Sequence, residues 1–279
     1  MNRKRITITL KNELFKRLES MVDGGKIRSR SHAIEYLLSE SLLKKPVKVL
    51  ILAGGSGVNF PHLSGELPKA MLPLDGRPLL EYTIERLKQA GLTDITVSLG
   101  AHGRKISDHF RNGSRFGVQI SYLQQLPGKS GTAQPIKQAQ EYFGENIFLL
   151  LYGDVLAEIN YLDLIEFHRS QMGLVCTMAL TSVEKVSMWG VAKLVGSKIV
   201  EFEEKPRAPR THSHLVNAGI YVLEPDIFKF IRSDILKLES GVFPRLAEES
   251  RLGGYIFEGS WYDVSTQEVY SEVLRKWGK

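Results

Sequence analysis

The chain has a single cysteine, Cys176, among its 279 residues, so no disulfide can form within it. Its fold must rest on a buried core, and thiol usage of this kind fits a reducing, cytoplasmic compartment. Uninterrupted apolar runs of the roughly 18 residues that a membrane-spanning helix needs are absent, so no membrane association is expected. The start, Met1–Leu10, is basic but has no long apolar stretch and no small-residue cleavage site, so no signal peptide is expected. There is no internal repeat and no low-complexity segment. With 43% hydrophobic and 24% charged residues, the composition excludes a disordered chain, a collagen or a coiled-coil rod.

What is present is unevenly distributed. The formal net charge is +6. Residues 1–46 carry eleven Lys/Arg against five Asp/Glu, and the remainder carries 26 of each sign. All the excess positive charge therefore sits in the first sixth of the chain. That is the pattern of a small polyanion-binding module joined to a neutral domain.

Within the basic segment, Arg5-Ile6-Thr7-Ile8-Thr9-Leu10 alternates polar and apolar residues, the period of a half-buried strand. Leu14, Leu18, Met21 and Val22 then fall on one helical stripe that Gly24-Gly25 ends. Ser29-Arg30-Ser31 opens a second helix, with serine as N-cap, and Ala33, Ile34, Leu37, Leu38 and Leu42 form its stripe up to Pro46. One strand and two short helices cannot bury a core alone, and a lone strand leaves its edge unpaired, so a second copy is expected. The segment resembles the ribbon-helix-helix DNA-binding family in length, order and local sequence. The resemblance implies that residues 1–45 form a dimerisation and DNA-binding domain whose paired strands enter the major groove. Arg5, Thr7 and Thr9 would read base edges, and Ser29 and Ser31 at the second helix would hold a backbone phosphate. Arg3, Lys4, Arg28 and Arg30 would add salt-dependent phosphate contacts. The plainer alternative is a dimerisation arm with a solvated charged face.

Past the short joint Lys44-Lys45-Pro46, strands and helices alternate. Strands are expected at Val47–Leu52, Thr93–Leu99, Val118–Leu123 and Ile147–Tyr152, and helices at Pro78–Ala90, Ile106–Phe110, Thr132–Phe143 and Asn160–Gln171. This βαβ series predicts an α/β sheet covered by helices on both faces. After Leu174 strands dominate: 174–180, 190–194, 198–203, 216–222 and 254–257, with helices near 225–232 and 243–250.

The first strand runs into Ala53-Gly54-Gly55-Ser56-Gly57, where backbone N–H groups can approach phosphates unobstructed. Alone this is a weak signal, because it is neither a P-loop nor the spaced dinucleotide fingerprint. A chain of further motifs follows it in order. They are Leu67-Pro68-Lys69 with Gly76-Arg77-Pro78; Gln125, Pro127 and Gly131-Thr132-Ala133; Gly153-Asp154; Gly190-Val191; Glu203-Glu204-Lys205-Pro206; Asn217-Ala218-Gly219-Ile220-Tyr221; and Trp261-Tyr262-Asp263. In these the region 47–279 resembles the sugar-1-phosphate nucleotidyltransferases, most of all the mannose- or glucose-1-phosphate branch. The resemblance implies an α/β Rossmann-like nucleotidyltransferase fold, a mixed sheet flanked by helices.

It also implies roles. Ala53, Gly54, Gly55 and Gly57 would cradle the nucleotide, and Gln125 and Gly131 would read its base. Lys69 would contact the phosphates, and Asp154 and Asp263 would hold Mg²⁺. Lys205 would hold the sugar phosphate, while Gly190, Glu204, Asn217 and Gly219 would bind sugar hydroxyls. The partners would be an NTP, a sugar-1-phosphate and DNA, in a homodimer or higher even oligomer. Two departures stand out. Asn59 occupies the position of the family's arginine in the glycine loop, and Ser265 replaces a glycine after Asp263. Arg104 or Lys129 could stand in for the lost charge. The departure at Asn59 also opens an alternative, a ligand-sensing transcriptional regulator with a weakened or inactive nucleotidyltransferase domain. His212-Ser213-His214 is expected to be a loop rather than a metal site, His168 structural and Cys176 a core residue.

Overall fold

The structure is a computed structural model that describes residues 6–25, 27–42, 46–55, 67–126, 131–207 and 213–277. The chain divides into two compact units, Met1–Pro46 and Val47–Lys279. Arg3, Arg5, Gly57, Asn59, Pro127, Lys129 and His212 lie outside the described residues.

In the first unit the helices Asn12–Ser20 and Arg30–Leu42 form where the apolar stripes place them. They meet through Leu18, Ile27 and Ala33, with Met21, Val22 and Ile34 around them. The Ser29 hydroxyl accepts from the backbone N–H of His32 at 3.2 Å, as an N-cap does. Between the helices, Asp23 Oδ1 accepts from the N–H groups of Gly25 and Ile27, both at 2.9 Å, which closes the turn. Two expectations need correction. Residues 6–10 form no strand, and Ile6 and Ile8 are 68% and 47% exposed rather than buried. The physical reason is that a strand needs a neighbour for its N–H and C=O groups, and no other segment among the described residues of this unit supplies one. Arg30 is not a free cation either, since it pairs with Glu19 and lies over the Phe15 ring. Thr7, Thr9, Arg28, Ser29 and Ser31 are exposed.

Among the described residues, the second unit is built on thirteen strands. In chain order these are β1 (Lys48–Ala53), β2 (Pro73–Leu74), β3 (Arg77–Pro78), β4 (Asp94–Leu99), β5 (Gln119–Gln124), β6 (Phe148–Tyr152), β7 (Val155–Ala157), β8 (Cys176–Ser182), β9 (Gly190–Val195), β10 (Lys198–Glu204), β11 (Leu215–Leu223), β12 (Leu252–Ile256) and β13 (Trp261–Asp263). Nine of them form one sheet in the order β5-β4-β1-β6-β11-β8-β12-β10-β9. The β5, β4, β1 and β6 strands run parallel, whereas β11 is antiparallel to both β6 and β8, so the sheet is mixed. Two small sheets, β13-β7 and β2-β3, lie outside it.

The period of two sets the layers. In β1, Val49, Ile51 and Ala53 point to one core, together with Leu80, Ile84 and Leu87 of the helix Leu79–Gln89. Leu50 points to the opposite core, with Ile136, Phe143, Phe228 and Phe243. Such strands are buried on both faces and read as unbroken apolar runs, which is why β1 and β6 were legible. The stretch expected as one helix, Thr132–Phe143, is two, Ala133–Gln138 and Gln140–Phe143, with Ala139 between them. A third apolar cluster joins Leu72, Leu74, Leu156 and Val264 to Tyr270 and Val273 of the last helix, Gln267–Lys276, and to Trp277 just beyond it. His168 is buried, with Nδ1 2.8 Å from Thr177 Oγ1, and Cys176 is fully buried, as expected of structural residues. Among the described residues no helix is long and apolar enough to cross a membrane.

Candidate active site

From β1 the chain goes outward through β4 to β5 and then returns to place β6 on the other side of β1. Strand order therefore reverses at β1, and in open α/β sheets a ligand crevice forms at the carboxyl ends of the strands at such a point. Gly54-Gly55 and Gly153-Asp154 leave the carboxyl ends of β1 and β6 there. The N–H of Gly153 donates to Leu52 O at 2.9 Å, which fixes Asp154 beside the glycine turn.

The Lys69 N–H donates to Gly55 O at 3.1 Å, and Lys69 Nζ reaches Asp154 Oδ2 at 3.2 Å. A Cβ on Gly55 would lie 3.9 Å from that same Asp154 oxygen. The Gln125 amide lies across Gly54, where a Cβ would come within 2.4 Å of it, so a larger residue there would displace Gln125 from this position. Gln125 Nε2 donates to Ser98 Oγ at 3.2 Å. Ala53 ends β1, buried beneath this turn.

Asp263 arrives from the other end of the chain. The β13 strand pairs with β7, setting Asp263 opposite Val155, and Val264 N donates to Asp154 O at 2.9 Å. The two aspartates are thus held as neighbours by backbone. The Asp263 carboxyl is pushed above the usual carboxylate range by burial and then by the negative charge of Asp154. Hydrogen bonds from Ser265 and Trp189 and the charge of Lys69 oppose that rise. Two neighbouring carboxylates present hard oxygen donors and negative charge that Lys69 compensates only in part, a set that suits Mg²⁺.

Asp263 also faces a cleft of about 430 Å³ of empty space, shared with Gly190, Glu204, Lys205, Asn217 and Gly219. A Cβ on Gly190 would meet Phe202 at 2.3 Å and Glu204 Oε2 at 2.8 Å, so glycine lets the Glu204 carboxylate reach the cleft. Asn217 Oδ1 accepts from Gly219 N at 3.0 Å and from the Tyr221 hydroxyl at 2.8 Å, leaving its amide N–H groups for the cleft. Lys205 has φ 46°, a left-handed conformation costly for a lysine and found mostly where function demands it.

Sequence reading thus placed Ala53, Gly54, Gly55, Lys69, Gln125, Asp154 and Asp263 in one corner. It placed Gly190, Glu204, Lys205, Asn217 and Gly219 in the adjoining cleft. Gly131 is not in the cleft lining; it packs on the Leu236 carbonyl. Its neighbour Thr132 reaches the cleft indirectly by donating to Glu239 Oε2 at 2.7 Å. Three lining residues went unnoticed: Tyr152, Trp189 and Glu239. Glu239 is only 8% exposed, and its Oε1 accepts from the Tyr152 hydroxyl at 2.5 Å. A lone Glu in the mixed stretch Ile235-Leu236-Lys237-Leu238-Glu239-Ser240 carries no pattern, so no sequence signal marks it. Trp189 precedes Gly190-Val191 and could have been found as part of that motif. Arg104 does not serve as the replacement cation in this arrangement: it is 91% exposed and pairs with Asp108 at 3.6 Å. No cluster of three or more metal-ligating His, Cys, Asp or Glu occurs among the described residues, and His214 Nδ1 lies 3.0 Å from Val183 O.

Burial, with Glu239 nearby, pushes the Glu204 carboxyl up to about 6. The folded state therefore holds this proton in a window where the unfolded chain has lost it. Stability falls as pH rises from the ordinary glutamate range through about 6, because the buried charge is then disfavoured. The Glu204→Gln variant is expected to melt above the wild type at pH 7.5 and level with it at pH 4. Paired thermal melts at the two pH values check this.

The sequence profile of the Nucleotidyl transferase family matches residues 48–278. A UTP–glucose-1-phosphate uridylyltransferase of Synechocystis sp. is 32% identical over 245 residues, covering 82% of this chain and 63% of that protein. A mannose-1-phosphate guanyltransferase 2 of Candida glabrata is 31% identical over 224 residues, covering 78% and 61%. The chain thus spans less than two thirds of the length of these relatives. A solved structure from Bacillus anthracis superposes with a TM-score of 0.75 at 24% identity, covering 84% of this chain and 98% of that one, which establishes the shared fold. With its family profile running from β1 to the last helix, and with the motif residues gathered at the switch point of its sheet, the chain belongs to the Nucleotidyl transferase family.

Proposed function

We propose that the second unit joins an NTP to a hexose-1-phosphate, giving a nucleotide sugar and pyrophosphate. The observation that carries this reading is the double placement of Asp263, tied to the Asp154–Lys69 corner through Val264 and open to the cleft of Glu204, Lys205 and Asn217. A nucleotide held at the glycine turn and a sugar phosphate held in the cleft would meet at that carboxylate.

An oxygen of the sugar phosphate attacks the α-phosphorus of the NTP, and pyrophosphate leaves. The attacking phosphate is already ionised near neutral pH, so no general base is required. The work is to align two polyanions and to offset the charge that develops. Lys69 and Lys205 supply positive charge to the nucleotide and sugar phosphates. Gly54 and Gly55 offer backbone N–H groups without side-chain obstruction, and Gln125, with Gly131 on its loop, orients the base. Glu204 and Asn217 meet the sugar hydroxyls, with the backbone at Gly190 and Gly219. Asp154 and Asp263 are the groups that would hold Mg²⁺, which when bound neutralises phosphate oxygens.

The test is pyrophosphate release by wild type and Asp154→Ala, each common NTP being paired with mannose-, glucose-, galactose- and N-acetylglucosamine-1-phosphate plus Mg²⁺. Turnover in one pairing, at least ~100-fold lower in the variant, is expected from loss of a group that stabilises developing charge. Equal rates in the two proteins, or none in any pairing, would remove the reading.

For the first unit we infer a ribbon-helix-helix module that dimerises and binds DNA. Support comes from the concentration of excess positive charge in residues 1–46, the two short helices, and exposed Ile6 and Ile8 on an unpaired extended segment. A second copy would supply the missing strand. Binding to a duplex pool should weaken steeply with salt, and Arg3→Ala/Arg28→Ala in the full chain should lower the slope of log K against log[salt] by about 1.8 per protomer. Fluorescence anisotropy at several salt concentrations measures it, and an unchanged slope would point to a dimerisation arm alone.

A further inference from the structure

We propose that Trp189 is the positioning residue of Asp263, fixing that carboxylate for the divalent cation and at the same time tying the cleft's separate segments to it. The inference rests on the reading of Asp263 as a metal-holding group.

The indole Nε1–H of Trp189 donates to Asp263 Oδ2 at 3.0 Å. An indole is a donor only, so this contact favours the ionised carboxylate and cannot be reversed by a tautomer or a flip. The ring itself is held. It stands edge-on to Trp261 at 5.3 Å and 68°, and Trp261 Nε1 donates to Ala218 O at 3.0 Å. The Trp189 backbone is engaged as well: its N–H donates to Val186 O and its carbonyl accepts from Lys205 N, both at 3.1 Å. Trp189 and its own peptide groups therefore join the segments that carry Gly190, Lys205 and Asp263, and Trp261 extends the link to the Asn217 segment through Ala218.

The geometry has a consequence for ligation. One Asp263 oxygen is engaged by the indole and the carboxylate's torsion is set before any cation arrives, which spares the ordering cost at binding. Hydrogen-bonding partners one layer behind a metal ligand typically contribute 10–100-fold in metal affinity. If Trp189 were only a wall of the cleft, its removal would alter sugar-phosphate binding and leave metal affinity unchanged.

The discriminating variant is Trp189→Phe, which keeps an aromatic ring against Trp261 and deletes the N–H. Mn²⁺ titrations by electron paramagnetic resonance, with nucleotide present, would compare wild type, Trp189→Phe and Asp263→Asn. The expected result is a dissociation constant raised about 10-fold in Trp189→Phe, with a larger rise in Asp263→Asn. Metal affinity within twofold of wild type in Trp189→Phe, with Asp263→Asn impaired, would overturn the inference and leave the metal reading standing. Unchanged affinity in both variants would overturn the metal reading and the inference with it. A second measurement does not depend on the phenylalanine variant folding. In ¹⁵N-tryptophan-labelled protein, the indole resonance displaced by Asp263→Asn should also shift on Mg²⁺ addition to wild type, with a midpoint matching the metal dissociation constant. A resonance that ignores both perturbations would contradict the proposal.

Discussion

The proximity of Asp154 and Asp263 is the constraint on which the second unit turns. Backbone imposes it, because the β7–β13 ladder and the bond from Val264 N to Asp154 O hold the two residues side by side, and side-chain contacts then orient the carboxylates. Like charges in a partly desolvated corner repel, and the interaction grows as water is excluded. Lys69, at 3.2 Å from Asp154 Oδ2, offsets part of that repulsion, and the donors Trp189 and Ser265 offset more at Asp263. A site assembled this way stores an unmet demand for positive charge, which a polyphosphate accompanied by Mg²⁺ would bring.

The rest of the unit serves that corner. The parallel half of the sheet, β5-β4-β1-β6, delivers the glycine turn and Asp154 at its carboxyl edge, where the strand order reverses. The antiparallel half, through β9, β10 and β11, delivers Gly190, Glu204 and Asn217 to the adjoining cleft. The two halves are stitched together away from the aspartates. Thr132 Oγ1 donates to Glu239 and accepts from Leu238 N, Ala133 N donates to Leu236 O, and Gln134 Nε2 donates to Arg232 O and Ile235 O. Buried polar networks of this kind hold their shape because an unpaired member is costly. Glu239 is the member that also faces the cleft, so the nucleotide-side loop and the sugar-side pocket share one carboxylate.

Much of this was legible in the sequence because it is written in period and in local chemistry. The apolar runs of β1 and β6 and the stripe Leu80, Ile84, Leu87 follow directly from two-faced burial. Gly54 and Gly190 mark close approaches, of the Gln125 amide and of the Phe202 ring, that a Cβ would obstruct. What stayed hidden is long-range. The pairing of the three-residue strands β7 and β13 brings residues 155 and 263 together, and three-residue strands have no periodicity to read. The Asn12–Ser20 and Arg30–Leu42 helices were readable, but the strand expected before them is not formed by residues 6–10, because alternation alone supplies no hydrogen-bonding partner. Trp189 and Glu239 were missed for a related reason, since their roles exist only through contacts made across more than 70 residues of sequence.

The most direct test of the account is a crystal structure of the protein with a nucleotide sugar, the proposed product, and Mn²⁺, with the metal located by anomalous scattering. The account predicts a peak within ligand distance of both Asp154 and Asp263, the base over Gly54 beside Gln125, and the sugar in the cleft of Glu204, Lys205 and Asn217. A peak distant from either aspartate, or a product bound outside the switch point of the sheet, would contradict it.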